Sequence, residues 1–217
     1  MESTRAIVFA NGDLVDARTV RAFIKPDDYL VAADGGYLHM KSLGLKPHLL
    51  IGDLDSLAAE DVAELRTTGT TIEVFPREKD ETDLELALTK LAGQGFKEIR
   101  VVAALGGRLD QTLANVYLLE LESLSGIDVR LDDGHEEILV IRDKAQVTGK
   151  AGDTLSLLAM DRCTQGITTY NLKYPLNRET LCQSRSRGIS NVMVGSEAVI
   201  ELRSGSLLCI HTRQKIN

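Results

Sequence analysis

From Arg5 to about Asp132, short apolar runs alternate with stretches of helical spacing, a pattern that predicts βαβ units stacked on a parallel sheet. The expected strands are Ala6 to Ala10, Tyr29 to Ala33, Leu49 to Ile51, Ile72 to Phe75, Ile99 to Leu105 and Val129 to Leu131. The clearest helix lies between the fourth and fifth of these. Thr82 followed by Glu85 forms a capping box, and Leu84, Ala87, Leu88 and Leu91 recur at helical spacing until Gly93 and Gly95 end the run. Asp83 therefore falls in the first turn of a helix.

After the turn Asp132-Asp133-Gly134 the helical spacing disappears. Glu137 to Arg142, Thr154 to Ala159, Ile189 to Val194, Ala198 to Arg203 and Leu207 to His211 read as strands. Gly195-Ser196 and Ser204-Gly205 have the look of hairpin connections, and Ser186 to Asn191 that of a solvated hairpin arm. The expected fold is an α/β domain, an open and mostly parallel sheet flanked by helices, over residues 1–132. A smaller all-β sandwich of roughly 80 residues follows over 133–217. No internal repeat, low-complexity tract or long flexible linker separates the halves.

Composition narrows the function. The 217 residues are 43% hydrophobic, ample for a core. No apolar run approaches the roughly 18 residues needed to cross a bilayer, and Met1-Glu2-Ser3-Thr4-Arg5 leads into a strand without a signal-peptide pattern, so a cytoplasmic protein without a membrane partner is expected. A net charge of −7 without a basic stripe argues against nonspecific nucleic-acid binding. Cys163, Cys182 and Cys209 are widely spaced and form no CxxC pair, which reads as reduced thiols; His39, His48, His135 and His211 form no metal motif.

The chemistry lies in acids placed where strands end. Gly52-Asp53-Leu54-Asp55-Ser56 puts Asp53 and Asp55 on one side of an extended chain, where they can share a metal ion. The alternative is a turn in which Asp55 or Ser56 caps a helix starting near Leu57. Lys79-Asp80-Glu81-Thr82-Asp83 aims Asp80 and Asp83 at a helix start, where free N–H groups also attract phosphate; acids favour first turns without any ligand. In Gly106-Gly107-Arg108-Leu109-Asp110 the glycines allow backbone to approach a phosphate, Arg108 can grip its oxygens and Asp110 can hold metal. A tight turn with surface charge is the structural alternative there. Asp34-Gly35 ends another strand, and Asn11-Gly12 forms a possible phosphate-facing turn. Neither a P-loop nor a GxGxxG fingerprint is present. If these strands share one parallel sheet, the acids meet at one rim. Two like charges about 4 Å apart repel by about 4 kcal/mol at an effective dielectric near 20, so bound divalent cation is the simplest remedy.

Taken together, Ala33-Asp34-Gly35-Gly36, Gly52-Asp53-Leu54-Asp55-Ser56, Asp80-Glu81-Thr82-Asp83, Gly106-Gly107-Arg108-Leu109-Asp110 and Gly188-Ile189-Ser190-Asn191 resemble the thiamine pyrophosphokinase family in order and spacing over nearly the whole chain. The resemblance implies transfer of pyrophosphate from ATP to the hydroxyl of thiamine, giving thiamine diphosphate and AMP, with Mg2+ required. It implies that Asp53, Asp55, Asp83 and Asp110 organise metal and triphosphate with Asp80 in support. It further implies that Asp34, Gly35, Thr82, Gly107 and Arg108 contact nucleotide, and that Lys79, Gln111, Ser190 and Asn191 lie near thiamine. A homodimer with active sites at its interface is implied as well. Two departures stand out: Gln111 occupies a position where many relatives carry histidine, and the chain has no tryptophan to stack on thiamine. A pyrophosphokinase acting on another hydroxymethyl compound, such as a pterin, and a catalytically silent nucleotide sensor are the rival readings.

Overall fold

Strands buried on both faces read as unbroken apolar runs, and this is how the first half of the chain is built. The structure is a computed structural model that describes residues 4–214, so the part of the amino-terminal reading resting on residues 1–3 lies outside the described residues. The chain divides into two compact units, one ending at Gly134 and one beginning at His135.

In the first unit β1 (Arg5–Phe9), α1 (Ala17–Phe23), β2 (Tyr29–Ala33), α2 (Gly36–Ser42), β3 (Leu49–Gly52), α3 (Ala59–Thr67), β4 (Thr71–Val74), α4 (Asp83–Gly93), β5 (Glu98–Val102), α5 (Leu109–Tyr117) and β6 (Asp128–Asp132) alternate along the chain. The strands lie in the order β6-β5-β1-β2-β3-β4, each pair parallel. Ile7, Phe9, Leu50, Met40 and Val20 are fully buried in one core cluster, while α4 buries Leu84, Ala87, Leu88 and Leu91 as its spacing predicts. Each such leucine or isoleucine removes enough apolar surface from water to contribute roughly 2 kcal/mol. The strand expected to run to Leu105 stops at Val102, because Ala103 takes a left-handed φ of 54° and turns the chain out of the ladder. The helix expected near Leu57 begins at Ala59 with Ala58 at its N-cap and no side-chain cap, so neither Asp55 nor Ser56 is spent on it.

The second unit contains β7 (Glu136–Ile141), β8 (Lys144–Thr148), β9 (Thr154–Ala159), β10 (Cys163–Tyr170), β11 (Glu179–Cys182), β12 (Asn191–Val192), β13 (Glu197–Glu201) and β14 (Leu207–Thr212). Within it, antiparallel strands run β12-β9-β14-β7 in one sheet and β11-β10-β13-β8 in the other, enclosing Leu139, Leu155, Leu157, Ile167, Ile200 and Cys209. Gly195-Ser196 and Ser204-Gly205 are turns but not hairpins. Each carries the chain from one sheet to the other, since β12 and β14 belong to the first sheet and β13 to the second. The strand expected over Ile189 to Val194 shrinks to Asn191–Val192, because Ser190 is left-handed at φ 59° and only two residues pair with β9.

The expectation of reduced thiols is corrected for two of the cysteines: Cys163 and Cys182 form a disulfide. They lie 19 positions apart in sequence, but the antiparallel register of β10 and β11 sets them directly opposite each other, with Cα atoms 4.0 Å apart. Cys209 is buried in the sandwich core.

A buried ionic cluster ties β7, β9 and β14 together at the edge of this core. The His211 ring is fully buried, its Nε2 lying 2.9 Å from Asp153 and its Nδ1 3.4 Å from Glu137, with Arg213 3.9 Å from Glu137. Burial alone pushes the imidazole down, but the two carboxylates outweigh it and hold the pKa above the ordinary 6.5. Burial likewise pushes Asp153 up, and the hydrogen bonds from Gln214 N–H, His211 and Lys150 N–H together bring it below its ordinary 3.8. A raised imidazole pKa stabilises fully below 6.5 and is lost as pH rises through the folded value; a lowered carboxyl pKa stabilises above 3.8 and is lost as pH falls through its own folded value. The thermal midpoint should therefore decline as pH is raised from 6 towards 9, and His211→Gln should flatten that decline; an unchanged slope in the variant would remove His211 as its source.

Candidate functional site

The chain proceeds from β1 through β2 and β3 to β4 on one side, then returns to the other flank of β1 with β5. In open α/β sheets such a reversal splays the loops beyond the strands' carboxyl ends and opens a crevice there. Beyond β1 and β5 the two loops stay in register: Gly12 N–H donates to Ala103 O at 2.6 Å and Asp13 N–H to Leu105 O at 2.8 Å. A cleft of about 220 Å³ lies at this rim, with Asn11, Asp34, Thr82, Asp83, Gly106 and Gln111 among its lining.

Asp34, Asp53 and Asp55 meet there, with one oxygen of each carboxylate within 4.8 Å of the others. The backbone builds the group. Asp34 leaves β2 in a left-handed turn at φ 42° and donates its N–H to Ile51 O at 2.8 Å, which brings it over the end of β3. A Cβ on Gly52 would fall 2.9 Å from the Cβ of Asp34, so glycine makes this approach possible. Leu54, left-handed at φ 65°, then returns the chain so that Asp55 N–H donates to Asp53 Oδ1 at 3.1 Å. Asp34 is 8% exposed, and its Oδ1 is buried without a hydrogen-bond partner among the described residues. A buried carboxylate oxygen left unsatisfied beside two further carboxylates costs free energy that a cation would recover. Three hard oxygen donors suit a hard divalent cation.

Asp83 stands next to this group at the head of α4, where Thr82 Oγ1 caps the helix by accepting from Glu85 N–H at 3.2 Å. Lys79 Nζ lies 2.9 Å from Asp83 Oδ1, an ion pair in distance although its angles are not those of a good hydrogen bond. Burial raises the Asp83 pKa, Lys79 opposes this, and the negative charges of Asp34 and Asp53 add to the rise. Asp80 is exposed in the loop before α4.

Asp110 is not brought into the acid group. Its carboxylate takes a bidentate grip from Arg108, Nη2 at 2.6 Å and Nε at 3.1 Å, and accepts from Gln111 N–H at 2.9 Å. The Arg108 hydrogen bond is the larger cause that keeps Asp110 below the usual carboxylate range. Gly107 N–H is likewise occupied, donating to Asp13 Oδ2 at 3.2 Å. Gly35 precedes α2 and faces the Asn11 side chain. In the second unit, Asn191 is turned inward: its Oδ1 accepts from Tyr174 N–H at 3.0 Å and its Nδ2 donates to Tyr174 O at 2.7 Å, while Ser190 N–H donates to Ser156 Oγ.

Sequence reasoning missed several rim residues. Asp13 clamps Gly107, Thr112 Oγ1 donates to Gly106 O, and Asn115 Nδ2 donates to Ala104 O. His39, without an assigned role, lies 2.9 Å from Gly12 O. For Asp13 a signal existed, since it follows the first strand as Asp34 and Asp53 follow theirs.

Comparison with known proteins finds relatives for both units. The model of the thiamin pyrophosphokinase catalytic domain matches residues 20–131, and that of the thiamin pyrophosphokinase vitamin B1 binding domain matches residues 137–207. Thiamine pyrophosphokinase of Bacillus subtilis is 26% identical over 184 residues, covering 84% of this chain and 86% of that protein. The crystal structure of thiamin pyrophosphokinase from Geobacillus thermodenitrificans superposes with a TM-score of 0.84 at 26% identity, over 97% of this chain and 98% of that one. Thiamin pyrophosphokinase from Candida albicans shares the fold, with a TM-score of 0.80 at 15% identity over 97% of this chain and 89% of that one. With both of its units matched in order, the chain belongs to the thiamin pyrophosphokinase family.

Proposed function

We infer that the protein is a thiamine diphosphokinase, transferring the pyrophosphoryl group of ATP to the hydroxyl of thiamine. The observation that carries the assignment of its site is the buried, unsatisfied Asp34 oxygen beside Asp53 and Asp55 at the carboxyl rim of a family-matched fold. Asp34, Asp53 and Asp55 would hold magnesium, which supplies neutralising charge to the triphosphate when bound. The nucleotide lies against the turn from Gly106 to Arg108 and the start of α4, where Thr82 and the first N–H groups face it. Binding releases Arg108 from Asp110 to a phosphate oxygen, so Asp110 acts as the holding partner of the arginine in the empty site.

The thiamine oxygen forms a bond to the β-phosphorus as the bond from that phosphorus to the α,β-bridging oxygen breaks, and AMP leaves. Correct placement of the hydroxyl supplies much of the rate, because the reacting groups are held rather than collected from solution. We assign the departing hydroxyl proton to Asp83, which stands at the head of α4 beside the acid group and whose pKa burial raises, with Lys79 orienting it. Asp80 supports that loop, and Gln111 lines the cleft where no imidazole is required.

We also propose a homodimer, with Ser190 and Asn191 serving the thiamine side. Leu109, Leu113 and Tyr117 leave an apolar stripe along α5, 71%, 46% and 63% exposed, directly beside Arg108 and Asp110, which suits burial against another protein surface. No helix among the described residues is long and apolar enough to cross a membrane. A cytoplasmic location is proposed from the ATP requirement.

The test is an acceptor comparison with ATP and magnesium. Thiamine should be pyrophosphorylated with a higher kcat/KM than a hydroxymethyl pterin. Preference for the pterin would keep the site and change the substrate, and ATP binding without transfer to either would favour the sensor.

A further inference from the structure

Asp13 lies before residue 20, where the catalytic-domain match begins, and no motif of the chain includes it. Its carboxylate nevertheless sits inside the most contorted turn of the rim. Ala103, Gly106 and Gly107 are left-handed at φ 54°, 81° and 62°, a path that must be held from outside because an isolated loop would not keep it. Thr112 and Asn115 hold it from α5 through the carbonyls of Gly106 and Ala104. Gly12 and Asp13 hold it from the β1 loop, where a Cβ on Gly12 would come within 2.5 Å of Leu105 O and one on Gly106 would overlap the Asp13 carboxylate. Among these side-chain clamps Asp13 is the charged one, and its acceptor addresses the N–H of Gly107, the residue that precedes Arg108.

We propose that Asp13 is the positioning residue of the nucleotide-facing turn: by accepting from Gly107 N–H it keeps Gly106-Gly107 left-handed and fixes the direction in which Arg108 leaves the backbone. The ligand served is a nucleoside triphosphate. The inference rests on the reading of this turn as the phosphate-gripping element given above. A hydrogen bond is what the geometry asks of Asp13, and an asparagine oxygen can supply it.

Asp13→Ala should therefore raise the KM for ATP about tenfold, the loss expected from one charge-assisted hydrogen bond, with the KM for thiamine unchanged. ATP binding measured by calorimetry with magnesium and no acceptor should weaken equally. Asp13→Asn should restore most of both. The proposal is overturned if Asp13→Ala leaves ATP binding unchanged or tightens it, or if Asp13→Asn is as damaging as Asp13→Ala, which would make the charge rather than the hydrogen bond the active element. Arg108→Ala separates the two levels of the argument. If it weakens ATP binding while Asp13→Ala does not, only the role of Asp13 falls; if neither variant weakens it, the nucleotide reading of the turn falls too.

Discussion

Asp53→Asn is expected to lower kcat about a thousandfold, in the range that losing one preorganised charge-stabilising group costs other enzymes. The fold should survive the change. Asp53 is half-buried among like charges, and removing one of three mutually repelling carboxylates relieves strain rather than creating it, so the thermal midpoint without metal should hold or rise. What should disappear is the added stability that magnesium confers on the wild type, because a ligand bound only to the folded state raises the midpoint by mass action. Turnover within a few-fold of wild type, or an undiminished magnesium effect on melting, would remove Asp53 from the metal site. Asp110→Asn serves as the contrast. Its partner is Arg108, which ATP must draw away from it, so ATP binding should tighten while the magnesium effect on melting stays in place.

Gly36→Ala carries the largest expected effect on stability. Gly36 opens α2, and a Cβ there would overlap the carbonyl oxygen of Phe9 at the end of β1. Helix propensity favours alanine over glycine by up to about 1 kcal/mol, but forcing a carbon into a backbone carbonyl costs on the order of 3 kcal/mol, so the clash wins. The displaced helix start would also shift Asp34, two residues earlier, and activity should fall with the midpoint. Gly93→Ala is the matched control: Gly93 is the last residue of α4, and nothing lies within 4 Å of a Cβ built on it. There alanine should stabilise by up to about 1 kcal/mol. Thermal melts of the two variants decide the matter, and equal midpoints would contradict the close packing of α2 on β1.

The parallel sheet was legible because its central strands β1, β2 and β3 are buried on both faces and so appear as unbroken apolar runs, and because Thr82 and Glu85 mark the start of α4. Asp53 and Asp55 could be paired from their spacing alone. That Asp34 joins them could not be read, since its left-handed turn and its hydrogen bond to the end of β3 are tertiary facts. Asp110 was expected beside a metal because acids at strand ends look alike in sequence, whereas its bidentate contact with Arg108 depends on how the chain turns into α5 through the single residue Leu109. In the second unit, Lys144–Thr148, Cys163–Tyr170 and Glu179–Cys182 escaped notice. The first carries exposed polar positions, the second is interrupted by a bulge between Gln165 and Ile167, and the third is only a short edge strand. Without β10 and β11 in view, the register that opposes Cys163 to Cys182 was out of reach. Gly195-Ser196 and Ser204-Gly205 announce turns, but a turn dipeptide does not say which sheet the next strand enters.

Both terminal phosphates of ATP should pass together to thiamine at the Asp34, Asp53 and Asp55 rim. Product analysis of the purified protein with ATP, magnesium and thiamine tests it most directly. AMP and thiamine diphosphate are expected in equal amounts, with AMP formation absent when thiamine is omitted. ADP with thiamine monophosphate, or AMP released without thiamine, would contradict it.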